Sequence, residues 1–171
     1  TIPKDRDDRI DPKVRLLKRP EWWQAREDAV LEAIKLWNSR EKPSERVVVA
    51  AQFDKTAEKL LTALSEQGVP AKFAKQRELV AAGDCVTVTT FHQLKGLEFD
   101  HVVITGLEDE TMPQHWIDHQ YYSETPEEAE HYSRRLVYVA MTRAKRTVVL
   151  AGGEPFCRFF DDVPNELFEV I

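Results

Sequence analysis

The run Val47-Val48-Val49-Ala50-Ala51 constrains the fold of this chain more than any other stretch. Five consecutive apolar residues, headed by three β-branched ones, leave no polar side for water, so the segment reads as a strand covered on both faces. Strands covered on both faces belong to parallel sheets flanked by helices. The neighbouring sequence supplies the helices. Glu21 to Trp37 places Trp22, Ala25, Ala29, Val30, Ala33, Ile34 and Trp37 near helical spacing, which predicts an amphipathic helix with its tryptophans in the core. Asp54 is expected to cap a helix running to Gln67, ended by Gly68 with Pro70 just beyond.

Further along, Val86 to Thr90 and His101 to Thr105 read as strands joined by the loop Phe91 to Asp100. Thr125-Pro126-Glu127-Glu128 has the form of a capping box with proline at the first helical position, opening a helix through Val139. Thr147 to Ala151 is the next strand, ended by Gly152-Gly153. This alternation predicts an α/β domain with a parallel sheet flanked by helices. Residues 1–20, rich in charge and proline and without a period, read as a linker or edge segment, leaving 21–171 as the domain. A chain of 171 residues suits one such unit.

Charge and reactive residues narrow the functional classes. A net charge of −6 argues against a domain whose main work is wrapping nucleic acid, while leaving room for a local contact strip. The acidic clumps Glu108-Asp109-Glu110 and Glu124 to Glu130 are expected to be solvated faces. Cys85 and Cys157 are too far apart for a zinc ribbon and read as reduced thiols near the core. His115 and His119 stand four apart but no third ligand is evident, so no metal site is predicted. No apolar run approaches the roughly 20 residues of a membrane span, and the first residues lack a signal-peptide pattern, which leads to the expectation of a cytoplasmic protein without membrane contact.

Two segments carry a family resemblance. Val86 through Ile104, with Thr90-Phe91-His92-Gln93-Leu94-Lys95-Gly96-Leu97-Glu98-Phe99 at its centre, resembles motif V of superfamily 1 helicases of the UvrD/Rep/PcrA type. Arg134-Arg135-Leu136-Val137-Tyr138-Val139-Ala140-Met141-Thr142-Arg143-Ala144-Lys145 resembles their motif VI, in the expected order. Two weaker segments agree: the acidic stretch from Gly106 to Pro113, and Arg158-Phe159-Phe160 through Leu167.

The resemblance implies a RecA-like second motor domain of an ATP-dependent DNA helicase, working 3′ to 5′ with ATP and Mg²⁺. Its partners would be single-stranded DNA and the N-terminal RecA-like domain of the same parent protein, the isolated fragment being monomeric. By resemblance Arg143 is the arginine finger on the γ-phosphate, Glu98 contacts the ribose with Gly96 beside it, and Gln52 falls where a motif IV arginine is expected. Thr90, His92 and Lys95 would face single-stranded DNA. The chain lacks a G-x-x-x-x-G-K-[ST] loop, so it is expected to complete an ATP site without hydrolysing ATP alone. Only Ala71 to Cys85 stands where the larger relatives insert an accessory domain, so the compact form is implied. DNA repair or plasmid and phage metabolism would suit such a motor. Two other readings compete: a helicase-derived protein-interaction module, and the motor part of a helicase-nuclease.

Overall fold

The computed structural model describes residues 12–75, 84–109, 112 and 125–171. Among these, seven strands form one parallel sheet: β1 (Lys13–Arg19), β2 (Val47–Ala51), β3 (Ala71–Phe73), β4 (Val86–Thr90), β5 (Phe99–Ile104), β6 (Ala144–Gly153) and β7 (Glu169–Val170). Their order across the sheet is β3-β4-β2-β5-β6-β1-β7. The fold class expected from the sequence is the one observed. The five residues of β2 are all buried, as a strand in the middle of the order requires.

Among the described residues three α-helices cover the two faces: α1 (Trp22–Asn38), α2 (Asp54–Glu66) and α3 (Pro126–Met141). Ala25, Ala29, Val30 and Ala33 of α1, with Leu60 and Leu64 of α2, pack with Val47, Val49 and Val88 on one face. Val137 and Ala140 of α3 pack with Val48, Ala50, Val102, Phe91 and Leu94 on the other. The alternation of β2 between Val47 and Val49 on one side and Val48 and Ala50 on the other is the strand period feeding both cores. Thr125 caps α3 through the expected box: its hydroxyl accepts from the Glu128 N–H, and the Glu128 carboxylate accepts from the Thr125 N–H. Gly68, just past the end of α2, has φ +74, a conformation that favours glycine.

Several expectations need correction. Lys13–Arg19, read from the sequence as part of a linker or edge segment, is a seven-residue strand near the edge of the sheet, with only the two-residue β7 outside it. Its charges hid it: only Leu16 and Leu17 are deeply buried, while Arg15 pairs with Glu32 at 2.7 Å and Arg19 with Asp28 at 2.5 Å. Trp22 is not core; it is 49% exposed. Asp54 is the first helical residue of α2 and no side chain caps that end. Strand β6 begins three residues before the expected Thr147. Glu108 is buried rather than solvated, and its neighbour Asp109 grips the Arg158 guanidinium at 2.7 and 3.0 Å. The free thiols behave as expected for reduced residues: Cys157 is buried, which pushes its pKa up to about 12, and the half-buried Cys85 is also raised by burial. His115 and His119 lie outside the described residues.

Candidate functional site at the amino edge of the sheet

Because every strand runs the same way, the sheet has an edge where strands begin and an edge where they end. Arg143 and Glu98 both lie at the first. Arg143 follows the last turn of α3 and precedes β6, while Glu98 immediately precedes β5. The two chain segments touch there, with the Phe99 N–H donating to the Arg143 carbonyl at 2.8 Å. The sequence predicted these residues as one site, and the fold brings them together.

The Arg143 guanidinium is half-buried and folded against its own helix end. Its Nε donates to the Val139 carbonyl at 3.1 Å and its Nη2 to the Thr142 hydroxyl at 3.1 Å. A cation is favourable at a helix C-terminus, where unsatisfied carbonyls gather. Among the described residues no carboxylate lies within ion-pair distance of it. Glu98 is exposed and sits 3.3 Å from the Lys145 ammonium, and its backbone carbonyl accepts from Arg46 at 3.3 Å. Beside them a tighter cluster closes the edge: Arg146 binds Glu41 at 2.9 Å and Glu45 at 2.6 Å, and Glu45 meets His101 at 3.3 Å. Burial works to raise the Glu45 carboxyl, but the bonds from His101 and Arg146 prevail and hold it below its ordinary range. Sequence reasoning did not find this cluster; Glu41 and Arg146 are far apart in the chain and belong to no motif.

The connection from β4 to β5 crosses β2 and carries the rest of the predicted site from one edge to the other. It starts with a short 3₁₀ turn, Phe91–Leu94, whose Phe91 and Leu94 are fully buried against α3 and the sheet. His92 emerges from that turn at the carboxyl edge, with its Nε2 2.9 Å from the Tyr132 hydroxyl. Partial burial lowers the His92 pKa, with Asp54 acting in the opposite sense, so the ring is neutral at pH 7. Lys95 and Gly96 are exposed further along. Gly96 has φ +79 and open space where a Cβ would sit, so the turn, not a close approach, is what requires glycine there.

Two predicted residues stand apart. Gln52 is buried at the carboxyl end of β2. The register, which aligns Val47, His101 and Thr147, separates it from Arg143 by roughly 25 Å along the strands, at about 3.3 Å per residue. The two cannot share one phosphate, and the assignment of Gln52 to the nucleotide site is corrected accordingly. Thr90 is buried at the end of β4 rather than on the surface.

Removal of Lys145 tests how the edge is held. Its pairing with Glu98 joins two well-exposed side chains, so Lys145→Ala is expected to change stability by less than about 1 kcal/mol in urea denaturation. A larger loss would show that the pair is a structural clamp.

The chain is similar to known proteins first in fold and then in sequence. The fold is shared with the crystal structure of the C-terminal domain of a possible DNA helicase from Lactobacillus plantarum WCFS1, with a TM-score of 0.62 and 18% identity over 93% of this chain and 84% of that one. Residues 73–152, which contain both motif segments, match the model of the UvrD-like helicase C-terminal domain. It is 35% identical over 123 residues to the ATP-dependent DNA helicase UvrD1 of Mycobacterium tuberculosis, covering 61% of this chain and 15% of that protein. To the ATP-dependent DNA helicase PcrA of Bacillus subtilis it is 31% identical over 128 residues, covering 68% of this chain and 16% of the relative. The chain thus spans about a sixth of the length of these relatives.

Proposed function

We propose that this chain is the second half of an ATP-driven, single-stranded-DNA translocating motor, whose amino edge completes a nucleotide site held mainly by another domain of the parent protein. The observation that carries the reading is the placement of Arg143 beside Glu98 at one edge, with the guanidinium bound to its own helix end. Hydrolysing ATP requires a phosphate cradle, a metal and a cation facing the charge that develops on the transferred group. This chain has the residues for the last and a carboxylate for ribose hydroxyls; the cradle and the Mg²⁺ ligands belong to the N-terminal motor domain. Lys95 would neutralise a phosphate of the DNA and the neutral His92 would stack or hydrogen-bond. Closing of the cleft around ATP and its release after hydrolysis would alternate the grip on DNA, stepping 3′ to 5′.

The names of the relatives, which are ATP-dependent DNA helicases, support this reading. The site chemistry gives its test. ATP turnover is expected from the parent protein and not from the purified chain. In the parent, Glu98→Gln is expected to raise KM for ATP by about ten-fold, the worth of one lost hydrogen bond to a charged group, with a smaller effect on kcat. Turnover by the chain alone, or a KM indifferent to Glu98, would overturn the shared-site arrangement.

A further inference from the structure

Strands β2, β5 and β6 stand side by side in the sheet, so the residues that lead into them meet at the amino edge. Those residues are Arg46, Glu98 and Arg143. Arg46 belongs to neither motif segment, yet it touches the chain that carries Glu98 at every residue from 98 to 101. Its Nη1 donates to the Glu98 carbonyl at 3.3 Å, and its guanidinium lies over the Phe99 ring, 4.4 Å from the centroid. Its backbone N–H donates to the Asp100 carboxylate at 2.8 Å, and its carbonyl accepts from the His101 N–H at 3.0 Å. Phe99 is completely buried, so the ring that supports the guanidinium is itself held by the core.

The peptide group joining Glu98 to Phe99 receives the consequence. Its N–H donates to the Arg143 carbonyl at 2.8 Å on the β6 side, and its carbonyl accepts from Arg46 on the β2 side. A peptide group is planar, so a grip on both of its polar atoms fixes where the Glu98 Cα lies and limits the direction in which its side chain leaves. The carboxylate has only a weak restraint of its own. Its partner Lys145 and Glu98 itself are exposed side chains, and an ion pair in water holds little. The Arg46 fork, planar and resting on an aromatic face, gives up less freedom in making its bond.

We propose that Arg46 is a positioning residue for the nucleotide site: by holding the Glu98–Phe99 peptide it aims the Glu98 carboxylate at the ribose hydroxyls. The proposal rests on the reading of Glu98 given above and adds to it a residue outside both motif segments. A group that must meet a ligand gains affinity when neighbouring contacts hold it beforehand in the direction that binding needs. Arg46 and Arg143 thereby share one task at the two sides of a single peptide, the first for the ribose contact and the second for the phosphate.

The test compares KM for ATP and for 2′,3′-dideoxy-ATP in the parent protein, because only ATP offers the hydroxyls that Glu98 would bind. The wild type is expected to favour ATP by about ten-fold, and Glu98→Ala to reduce that ratio to about one. Arg46→Met keeps an unbranched stem over Phe99 and removes the donor. It is expected to raise KM for ATP by about five-fold, with a smaller effect on kcat and little change for the dideoxy nucleotide, so that the ratio falls to about two. A role confined to stability would raise both KM values alike. A ratio that stays at the wild-type value in a folded Arg46→Met protein would therefore overturn the proposal and leave the Glu98 contact standing. A wild-type ratio of about one, or a ratio that Glu98→Ala does not move, would overturn the reading of Glu98 and the proposal with it. Circular dichroism checks the fold. If Arg46→Met does not fold, Arg46→Gln carries the same test with the same expected fall, since its amide nitrogen ends where the arginine Nε stands, short of the Glu98 carbonyl.

Discussion

Arg143→Ala in the parent protein is expected to lower single-stranded-DNA-stimulated ATP turnover by about 10³-fold or more while leaving the fold intact. The magnitude is that of an arginine finger, worth roughly 10³ to 10⁵ in phosphoryl transfer. The geometry explains why so large an effect can sit on a side chain that contributes little to folding. The guanidinium bonds to the Val139 carbonyl and the Thr142 hydroxyl, so most of its N–H donors remain available to phosphate oxygens. Leaving those contacts costs about the net worth of ordinary hydrogen bonds, roughly 1 kcal/mol each, far below what a fully charged γ-phosphate offers in a water-poor cleft. Arg143→Lys separates charge from geometry. It keeps a cation but loses the planar fork, and is expected to fall between the wild type and the alanine variant. The check is steady-state turnover at saturating DNA, with thermal unfolding to show that stability moves by less than about 1 kcal/mol. Unchanged turnover would remove Arg143 from the mechanism.

What the sequence made legible divides along physical lines. Strand β2 was readable because a strand covered on both faces is apolar throughout, and β4 and the second half of β5 because β-branched residues crowd them. The start of α3 was readable because the Thr125 box is a local hydrogen-bond arrangement complete within a few residues. Strand β1 was not, because near a sheet edge Lys13, Arg15 and Arg19 find carboxylates on the following helix α1 and on the distant β7, pairings that the residues of the strand do not announce. The same limit applies to the site. Arg143 and Glu98 were found through motifs, and their meeting follows from parallel strands that begin at one edge. Gln52 was misassigned because a position after a strand says nothing about which edge of the sheet that end occupies. Trp22 was misassigned because helical spacing identifies a face but not where the helix overhangs the sheet. Its exposure depends on α1 beginning directly after β1, at the carboxyl rim.

The connection between β4 and β5 links the fold to both edges, and its anchor is Phe91. The ring is completely buried, in the cluster that also holds Leu94, Val137 and Ala140. Phe91→Ala is expected to destabilise the chain by about 3–5 kcal/mol, the cost of deleting a buried aromatic side chain and leaving a partly collapsed cavity. For a domain of this size each kcal/mol corresponds to about 2–4 °C, so Tm should fall by roughly 6–20 °C. The neighbouring surface provides the control: Tyr138 on α3 is 65% exposed, and Tyr138→Ala is expected to change stability by no more than about 0.5 kcal/mol. The consequence reaches beyond stability, because the same turn sets His92 at one edge and the chain beyond it sets Glu98 at the other. Loosening the anchor should therefore weaken oligonucleotide binding and ATP affinity together, even below the unfolding temperature, whereas Tyr138→Ala should leave global stability untouched. Urea denaturation monitored by circular dichroism gives the first quantity. A Phe91→Ala protein as stable as the wild type would mean that the connection is not held by this ring, and that the placement of His92 and Glu98 has another origin.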